Sequence, residues 1–346
     1  MTLPKKILVT GGAGYIGSHT VVALANAGYE AIVIDDLSNS KASVISSLEQ
    51  ILQTPITFYQ HDCNDPSFLN NVFEKEERIV GAIHFAAFKA VGESVAYPLK
   101  YYRNNLDSLI TLLSTMKMQQ VAHLVFSSSC TVYGQPEQLP VTEESPRKNA
   151  ESPYGNTKKI SEDIIEDVVK SKAPLKSMAL RYFNPVGADS SALIGELPLG
   201  TPSNLVPYIT QTAAGLRESV TIFGGDYNTH DGTCIRDYIH VTDLAEAHVK
   251  ALQFLEAESA ASYYDAINVG TGQGHTVLEV VKAFEKVSGQ ALNYRIGDRR
   301  DGDIEQIYAN VDKATKMLGW TASRSLEEAL SDSWNWQQKL QHETAG

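Results

Sequence analysis

The fold is decided near the start of the chain, by residues 7–19, ILVTGGAGYIGSH. Apolar and β-branched residues open this stretch and predict a buried strand, whereas residues 18–27 have a helical pattern. The glycines between them satisfy both G-x-G-x-x-G and G-x-x-G-x-x-G: Gly11, Gly12, Gly14 and Gly17. Glycines placed between a strand and a helix permit a tight turn and bring the backbone close to a pyrophosphate at the helix N-terminus. The stretch therefore predicts a dinucleotide site.

The second apolar run indicates which dinucleotide fits. Residues 31–34 predict a strand that ends at Asp35 and Asp36, and Asp35 follows Gly17 by 18 residues. A carboxylate at this distance can accept hydrogen bonds from the adenosine ribose, and it repels a 2′-phosphate. The sequence thus favours NAD over NADP.

Short apolar runs continue to alternate with helical patterns up to about residue 180. After the first two, they are residues 56–58, 82–85, 123–126 and 177–180. This alternation predicts an α/β protein with a Rossmann-type, doubly wound parallel sheet. After Asn184 the sequence pattern changes to Pro- and Gly-rich loops with scattered helices. This pattern predicts a smaller C-terminal α/β lobe. We expect residues 1–184 to form the NAD-binding domain and residues 185–346 the substrate domain, with some crossing of the chain between the lobes.

Composition excludes several classes of function. The 346 residues carry a net charge of −12, which does not suit a phosphate-backbone binder, so no nucleic-acid partner is expected. The three cysteines are too few and too scattered for a disulfide framework or a zinc site, and no metal is expected. The sequence contains no run of 18 apolar residues, so no membrane span is predicted. We expect a cytoplasmic enzyme.

Three residues suggest redox chemistry on an alcohol. Ser129 follows the fifth predicted strand, where ligands bind in open α/β sheets. Tyr154 and Lys158 are four residues apart after Pro153, so both project from one face of a predicted helix. A free tyrosine has a pKa of about 10, and this pKa must fall to about 7 if the side chain is to act as a base near neutral pH. A neighbouring ammonium group can contribute to this shift. Ser129 would hydrogen-bond the reacting oxygen.

Long segments of the chain carry a family resemblance. They are residues 9–19 (VTGGAGYIGSH), 89–94 (KAVGES), 126–134 (FSSSCTVYG), 152–155 (SPYG), 181–188 (RYFNPVGA) and 236–241 (RDYIHV). These segments resemble the extended short-chain dehydrogenase/reductase family, and most closely its nucleotide-sugar 4-epimerases. The resemblance implies interconversion of UDP-galactose and UDP-glucose, in galactose metabolism, through a transient 4-keto sugar and tightly bound NAD. It also implies a homodimer that pairs the helices at about 100–118 and 153–169.

The same resemblance assigns site residues by matching motif positions. The catalytic residues would be Tyr154, Lys158 and Ser129. Besides these three, the cofactor would contact Gly11, Gly14, Tyr15, Ile16, Gly17, Asp35, Asp36, Leu37, Ser38, Asn39, Ser40, Asp62, Cys63, Phe85, Ala86, Ala87, Lys89, Asn104 and Phe183. The UDP-sugar would contact Lys89, Ser129, Tyr154, Tyr182, Asn184, Asn204, Leu205, Arg236, Arg300, Asp303 and Ile307. Ile307 falls where a small residue admits N-acetylhexosamines and a tyrosine does not.

Three other functions remain open at this point. A UDP-N-acetylglucosamine 4-epimerase would share the same motifs. A 4,6-dehydratase typically carries Thr-Asp-Glu where this chain has Ser129, Cys130 and Thr131, and the missing carboxylates argue against elimination of water. A non-catalytic NAD-binding module would tend to have lost Tyr154 or Lys158, and both are present.

Overall fold

The computed structural model of the protein describes residues 3–300 and 302–345. Its strands are β1 (Lys6–Thr10), β2 (Glu30–Asp35), β3 (Thr57–Gln60), β4 (Ile79–His84), β5 (His123–Ser127), β6 (Lys176–Tyr182), β7 (Asn184–Val186), β8 (Val220–Phe223), β9 (Ile235–Arg236), β10 (Tyr238–His240), β11 (Tyr263–Val269), β12 (His275–Thr276), β13 (Tyr294–Gly297) and β14 (Gln306–Ile307). Its α-helices are α1 (Tyr15–Asn26), α2 (Ser43–Leu52), α3 (Pro66–Lys75), α4 (Val91–Ala96), α5 (Pro98–Met118), α6 (Pro153–Lys170), α7 (Leu205–Ala213), α8 (Val241–Ala257), α9 (Val277–Ser288), α10 (Asp312–Leu318) and α11 (Leu326–Ala345).

A parallel sheet of seven strands forms the centre, in the order β11-β6-β5-β4-β1-β2-β3. The order reverses between β1 and β4, which creates a crevice at the carboxyl ends of these two strands. The Rossmann-type, doubly wound fold predicted from the sequence is confirmed. All six predicted strands are present, with ends that differ by at most a few residues.

Alternating side chains of the central strands bury both faces of the sheet. In β1, Ile7 and Val9 pack in one apolar cluster with Leu244 and Leu252 of α8, whereas Leu8 packs in the other cluster with residues of α3 and α5. Helices therefore cover both faces, which explains why the strands are almost continuously hydrophobic.

The second half of the chain contributes to this sheet as well as to the smaller lobe. β11 pairs with β6 along its whole length, from Tyr263 with Lys176 to Val269 with Tyr182, and α8 packs against α1. The chain thus crosses between the lobes after residue 184, as the sequence allowed, although β11 itself was not predicted. The division into domains at residue 184 stays a prediction.

The smaller lobe has its own apolar cluster. Side chains of α7, α9, α11 and β8 meet there, among them Ile209, Phe284, Leu330 and Ile222. Short strand pairs join the lobe to the end of the main sheet, for example β10 with β7. In the part of the chain that the structure describes, no helix is long and apolar enough to cross a membrane.

Candidate active site

The loop between β1 and α1 is packed so tightly that side chains are excluded from it. Gly11 has φ +70°, and a Cβ atom there would lie 2.8 Å from the backbone nitrogen of Ala86. A Cβ atom on Gly17 would lie 2.2 Å from the carbonyl oxygen of Gly11. Gly14 precedes α1 without a side-chain cap, which leaves the N–H groups of the first turn directed at the crevice. This cradle fits the pyrophosphate of a dinucleotide.

Asp35, the last residue of β2, ties this loop to the next segment. Its carboxylate accepts hydrogen bonds from the backbone N–H of Ala13 (3.0 Å), the backbone N–H of Leu37 (2.9 Å) and Ser40 Oγ (2.8 Å). Burial raises the pKa of Asp35, and the three donors oppose that shift. A carboxylate has about four acceptor positions, so one remains for a ribose hydroxyl. Its contact with NAD stays a prediction.

The other predicted cofactor residues follow the carboxyl ends of neighbouring strands. After β2 come Asp36, Leu37, Ser38, Asn39 and Ser40, after β3 come Asp62 and Cys63, and after β4 come Phe85, Ala86, Ala87 and Lys89. Tyr15 and Ile16 open α1. Asn104 on α5 accepts a hydrogen bond from Asn64 (3.4 Å), which in turn binds Asp62 (2.9 Å). The fold therefore brings these residues to one edge of the sheet.

The three predicted catalytic residues meet at the end of β5. Ser129 follows this strand and begins a 3-10 helix, Cys130–Tyr133, whose Thr131 N–H donates to Ser129 Oγ (3.2 Å). Tyr154 lies in the first turn of α6, which Ser152 caps. The Ser129 side chain lies close enough to the Tyr154 hydroxyl to lower its pKa. Tyr154, Ser129 and Lys158 are all buried.

Lys158 lies one turn further along α6 and also contacts the end of β5. Its Nζ donates to the Ser127 carbonyl oxygen at 2.6 Å and lies 5.9 Å from the ring centre of Tyr154. Burial lowers the pKa of Lys158 to about 7, and the negative charge of Glu162 opposes this shift. Near neutral pH this lysine therefore exchanges its proton readily.

The pKa of Tyr154 differs from the sequence expectation. Burial raises it above the ordinary value, and the Ser129 side chain acts only weakly in the opposite direction. The same burial lowers the pKa of Lys158 to about 7, so the lysine carries only part of its positive charge near neutral pH and favours the phenolate less. A further positive charge at the site, such as the nicotinamide ring of NAD⁺, is needed to favour the phenolate.

The predicted phosphate-binding arginines share one carboxylate. Arg300 Nε and Nη2 donate to Asp303 at 3.0 and 3.1 Å, and Arg236 Nη2 lies 3.7 Å from the same carboxylate. Arg236 is mostly buried in β9, whereas Arg300 is half-exposed. Two guanidinium groups on one wall match the charge and geometry of a diphosphate. Asp301, which directly follows Arg300, lies outside the described residues.

The remaining predicted substrate residues lie on β6, β7, β14 and α7 or directly beside these elements. Tyr182 ends β6, and its hydroxyl lies 2.7 Å from Ser127 Oγ. Phe183 and Ile307 pack with Cys130 in one buried apolar cluster. Asn184 opens β7, Asn204 precedes α7, and Leu205 opens α7. Their contact with a UDP-sugar stays a prediction.

The comparisons with known proteins identify the family of this chain. A family model described as GDP-mannose 4,6 dehydratase matches residues 8–333. The UDP-glucose 4-epimerase of Bacillus subtilis is 53% identical over 331 residues, which are 96% of each chain. The chain belongs to the UDP-glucose 4-epimerase family. The resemblance expected from the sequence is confirmed, so the protein is an isomerase of this family with NAD as its cofactor.

Two solved structures of UDP-glucose 4-epimerases share the fold. One, from Stenotrophomonas maltophila, holds NAD and formylated UDP-arabinopyranose. It has a TM-score of 0.94 and 47% identity, and the match covers 98% of this chain and 99% of that one. The other, from Bifidobacterium longum, holds NAD⁺ and UDP. It has a TM-score of 0.92 and 45% identity, and the match covers 97% and 98%.

The residues at the dehydratase position distinguish the epimerase family from the description of the matching model. Elimination of water needs carboxyl groups next to the sugar, whereas this chain has Ser129, Cys130 and Thr131 there. The Cys130 thiol cannot replace a carboxyl group, because burial raises its pKa to about 12. His84, which lies close to Lys158, forms a hydrogen bond with Thr10 Oγ1 (2.7 Å), and burial lowers its pKa to about 3.

The structure adds two residues to the site of this epimerase family member that the sequence argument missed. Glu196 accepts hydrogen bonds from Lys89 Nζ (3.2 Å) and Asn204 Nδ2 (2.6 Å), and so joins the cofactor side to the substrate side. Phe223 is 40% exposed, and the Arg300 guanidinium lies 4.8 Å from its ring centre. For Phe223, the available signal in the sequence was a phenylalanine directly before two glycines, Gly224 and Gly225.

Proposed function

We propose that this chain interconverts UDP-galactose and UDP-glucose with Tyr154, Lys158 and Ser129 as its catalytic residues. The observation that carries the proposal is their convergence at the end of β5. The buried side chains of Tyr154 and Ser129 interact there, and Lys158 Nζ donates to the carbonyl oxygen of Ser127 (2.6 Å). The reaction proceeds through a transient 4-keto sugar and belongs to galactose metabolism. A cytosolic location stays a prediction of the sequence.

The proposed chemistry follows from the positions of the three side chains. Tyr154 takes the proton of the sugar 4-hydroxyl and later returns it, and Ser129 holds the reacting oxygen by a hydrogen bond. The ammonium of Lys158 favours the phenolate. The Gly11–Gly17 loop and Asp35 would hold NAD⁺, which would supply the hydride acceptor for C4. Because the cofactor is regenerated, the net reaction is an isomerisation.

Two arginines explain how the UDP part of the substrate would be bound. Arg236 and Arg300 carry the two positive charges that a diphosphate requires, and Asn184 and Asn204 add polar contacts. Binding through the diphosphate leaves the hexose held mainly by its linkage. The 4-keto sugar can then turn its opposite face to the cofactor, so that hydride return inverts C4.

Conversion of UDP-galactose tests this function directly. Purified protein is incubated with UDP-galactose without added NAD, and the nucleotide sugars are separated by chromatography. We expect UDP-glucose to appear until the two sugars reach equilibrium. Accumulation of a 4-keto-6-deoxy sugar would instead identify a 4,6-dehydratase, and unchanged UDP-galactose would refute both enzymes.

The size of the sugar pocket leads to a prediction about N-acetylhexosamines. Ile307 is 2% exposed and packs against Cys130 and Phe183, so little room is left beside it. Overpacking costs about 1–3 kcal/mol, which corresponds to roughly 5- to 150-fold in specificity. We therefore expect kcat/KM to be lower by this factor for UDP-N-acetylhexosamines than for the UDP-hexoses.

Substitution of Ile307 tests whether this residue is the barrier. Ile307→Ser should raise kcat/KM for UDP-N-acetylgalactosamine and largely preserve the hexose reaction. Ile304→Ser, which removes an isoleucine at the edge of the same cluster, is the matched control and should not raise it. Equal efficiency of the unmodified enzyme on both sugar pairs would contradict the prediction.

We also propose a homodimer. Six exposed hydrophobic residues lie on or beside α4 and α5: Val91, Val95, Tyr97, Leu99, Ile110 and Met118. Such a patch on two adjacent helices is typical of a protein interface. A second copy of the chain would cover it by pairing α5 and α6 of the two protomers.

Light scattering measures the oligomeric state. We expect twice the 37.8 kDa mass of the chain. Ile110→Glu, at an exposed position of α5, should shift the mass towards that of the monomer. Leu216→Glu, at an exposed position outside this patch, should not. A mass of 37.8 kDa for the unmodified chain at micromolar concentrations would refute the homodimer.

A further inference from the structure

Glu162 is a fully buried carboxylate beside the catalytic residues that the proposed reaction does not use. It follows Lys158 by four residues and Tyr154 by eight, so the three side chains lie along one face of α6. The exposed fraction of its side chain is 0%. A buried charge is costly unless it is paired, so its partners indicate why it is there.

The partners of Glu162 come from three different segments. Oε1 accepts hydrogen bonds from Ser128 Oγ (2.5 Å) and Arg181 Nε (2.9 Å). Oε2 accepts from Arg181 Nη2 (2.6 Å) and Arg147 Nη1 (3.3 Å). The two guanidinium groups already balance the negative charge. The hydrogen bond from Ser128 is therefore not needed for neutralisation, and its effect is to fix the position of Ser128.

Ser128 lies between the two residues through which β5 contacts the catalytic side chains. The carbonyl oxygen of Ser127 accepts from Lys158 Nζ (2.6 Å), and the Ser129 side chain lies close enough to the Tyr154 hydroxyl to lower its pKa. Three consecutive serines thus meet three residues of α6 that are spaced one turn apart. Two of these contacts involve reacting groups, whereas the third joins Ser128 to Glu162.

We propose that the hydrogen bond between Ser128 and Glu162 is a positioning contact, which holds the end of β5 against α6 so that Ser129 stays aligned with Tyr154. Ser128 and Glu162 are positioning residues, since neither touches the sugar or the cofactor in the proposed reaction. Misplacing a catalytic group by about 1 Å lowers turnover strongly, so loss of this contact acts on kcat. The inference rests on the proposed epimerase function.

The charge of Glu162 has a separate effect that a second variant can measure. Glu162 raises the pKa of Lys158 against the effect of burial, while Tyr154 and His84 are the other titratable groups that face this lysine. Ser128→Ala removes the positioning contact and keeps the charge. Glu162→Gln removes the charge, so the pH at which Lys158 loses its proton falls.

The experiment compares variants of the full chain by steady-state kinetics with UDP-galactose. Ser128→Ala should lower kcat by about 10-fold and leave KM and the pH dependence of kcat unchanged. Ser177→Ala is the matched control, because Ser177 is fully buried and its hydroxyl has no hydrogen-bond partner among the described residues. This control should keep the kcat of the unmodified enzyme. Glu162→Gln should lower kcat at neutral pH as well. It should also shift the pH dependence of kcat towards alkaline values, because Lys158 then loses at lower pH the ammonium charge that favours the Tyr154 phenolate.

Each outcome decides the inference. An active enzyme whose Ser128→Ala variant keeps full kcat would overturn the positioning contact and leave the epimerase function intact. Equal losses in Ser128→Ala and Ser177→Ala would also overturn it, since they would reveal a general effect of buried serines. If the unmodified chain does not convert UDP-galactose, the proposed function fails, and the inference fails with it. If Glu162→Gln does not fold, the two serine variants still decide.

Discussion

Replacing Tyr154 by phenylalanine is expected to lower kcat by at least about 10²-fold, the usual loss when a general acid–base group is removed. The phenyl ring keeps the buried packing of Tyr154, and only the hydroxyl is lost. The proton of the sugar hydroxyl then has no acceptor. Stopped assays of UDP-galactose conversion measure the effect.

The fold and cofactor binding provide the control for this variant. Tyr154→Phe should retain the NAD content and thermal unfolding midpoint of the unmodified protein. Tyr264→Phe, at a tyrosine of β11 whose hydroxyl has no hydrogen-bond partner among the described residues, should not lower turnover. Near-normal turnover of Tyr154→Phe would exclude this tyrosine as the base.

Replacing Lys158 by alanine is expected to lower kcat by about 10²-fold at neutral pH and to shift the pH profile towards alkaline values. The ammonium favours the Tyr154 phenolate, so its removal raises the pKa of the phenol, which then ionises only at higher pH. The loss should therefore shrink as the pH is raised. Rates measured between neutral and alkaline pH give the shift.

A second lysine variant separates charge from packing. Lys158→Met keeps a side chain of similar length in the buried space between α6 and β5 without the positive charge. It should reproduce the kinetic change of Lys158→Ala while remaining closer to the unmodified protein in stability. An unshifted pH profile in both variants would show that Lys158 does not act on Tyr154.

The strands of the first half could be predicted because apolar runs between helical patterns are local signals. β11 could not, because its sequence mixes apolar and polar residues. Asp265 in this edge strand pairs with Lys313 (2.5 Å), and Asn268 is buried against the Tyr133 hydroxyl (2.6 Å). The reason for each polar residue is a partner at least 48 positions away along the chain.

The site was predictable to a similar extent. The Gly11–Gly17 loop and the Tyr154–Lys158 spacing are short-range patterns. Glu196 acts through Lys89, 107 residues away, and nothing near it in sequence indicates this. The direction of the Tyr154 pKa was also missed, because it depends on burial, and burial is a property of the assembled site.

The crossing of the chain also determines when the nucleotide-binding half can be completed during synthesis. Until residues 263–269 leave the ribosome, β6 presents an unpaired edge, and until α8 forms, apolar side chains of α1 and β1 face solvent. Open edges and bare apolar faces favour association with other chains. A fragment that stops at residue 184 therefore lacks both covers. For this architecture the dinucleotide cradle is encoded first, but the sheet that carries it is completed only by residues 241–269.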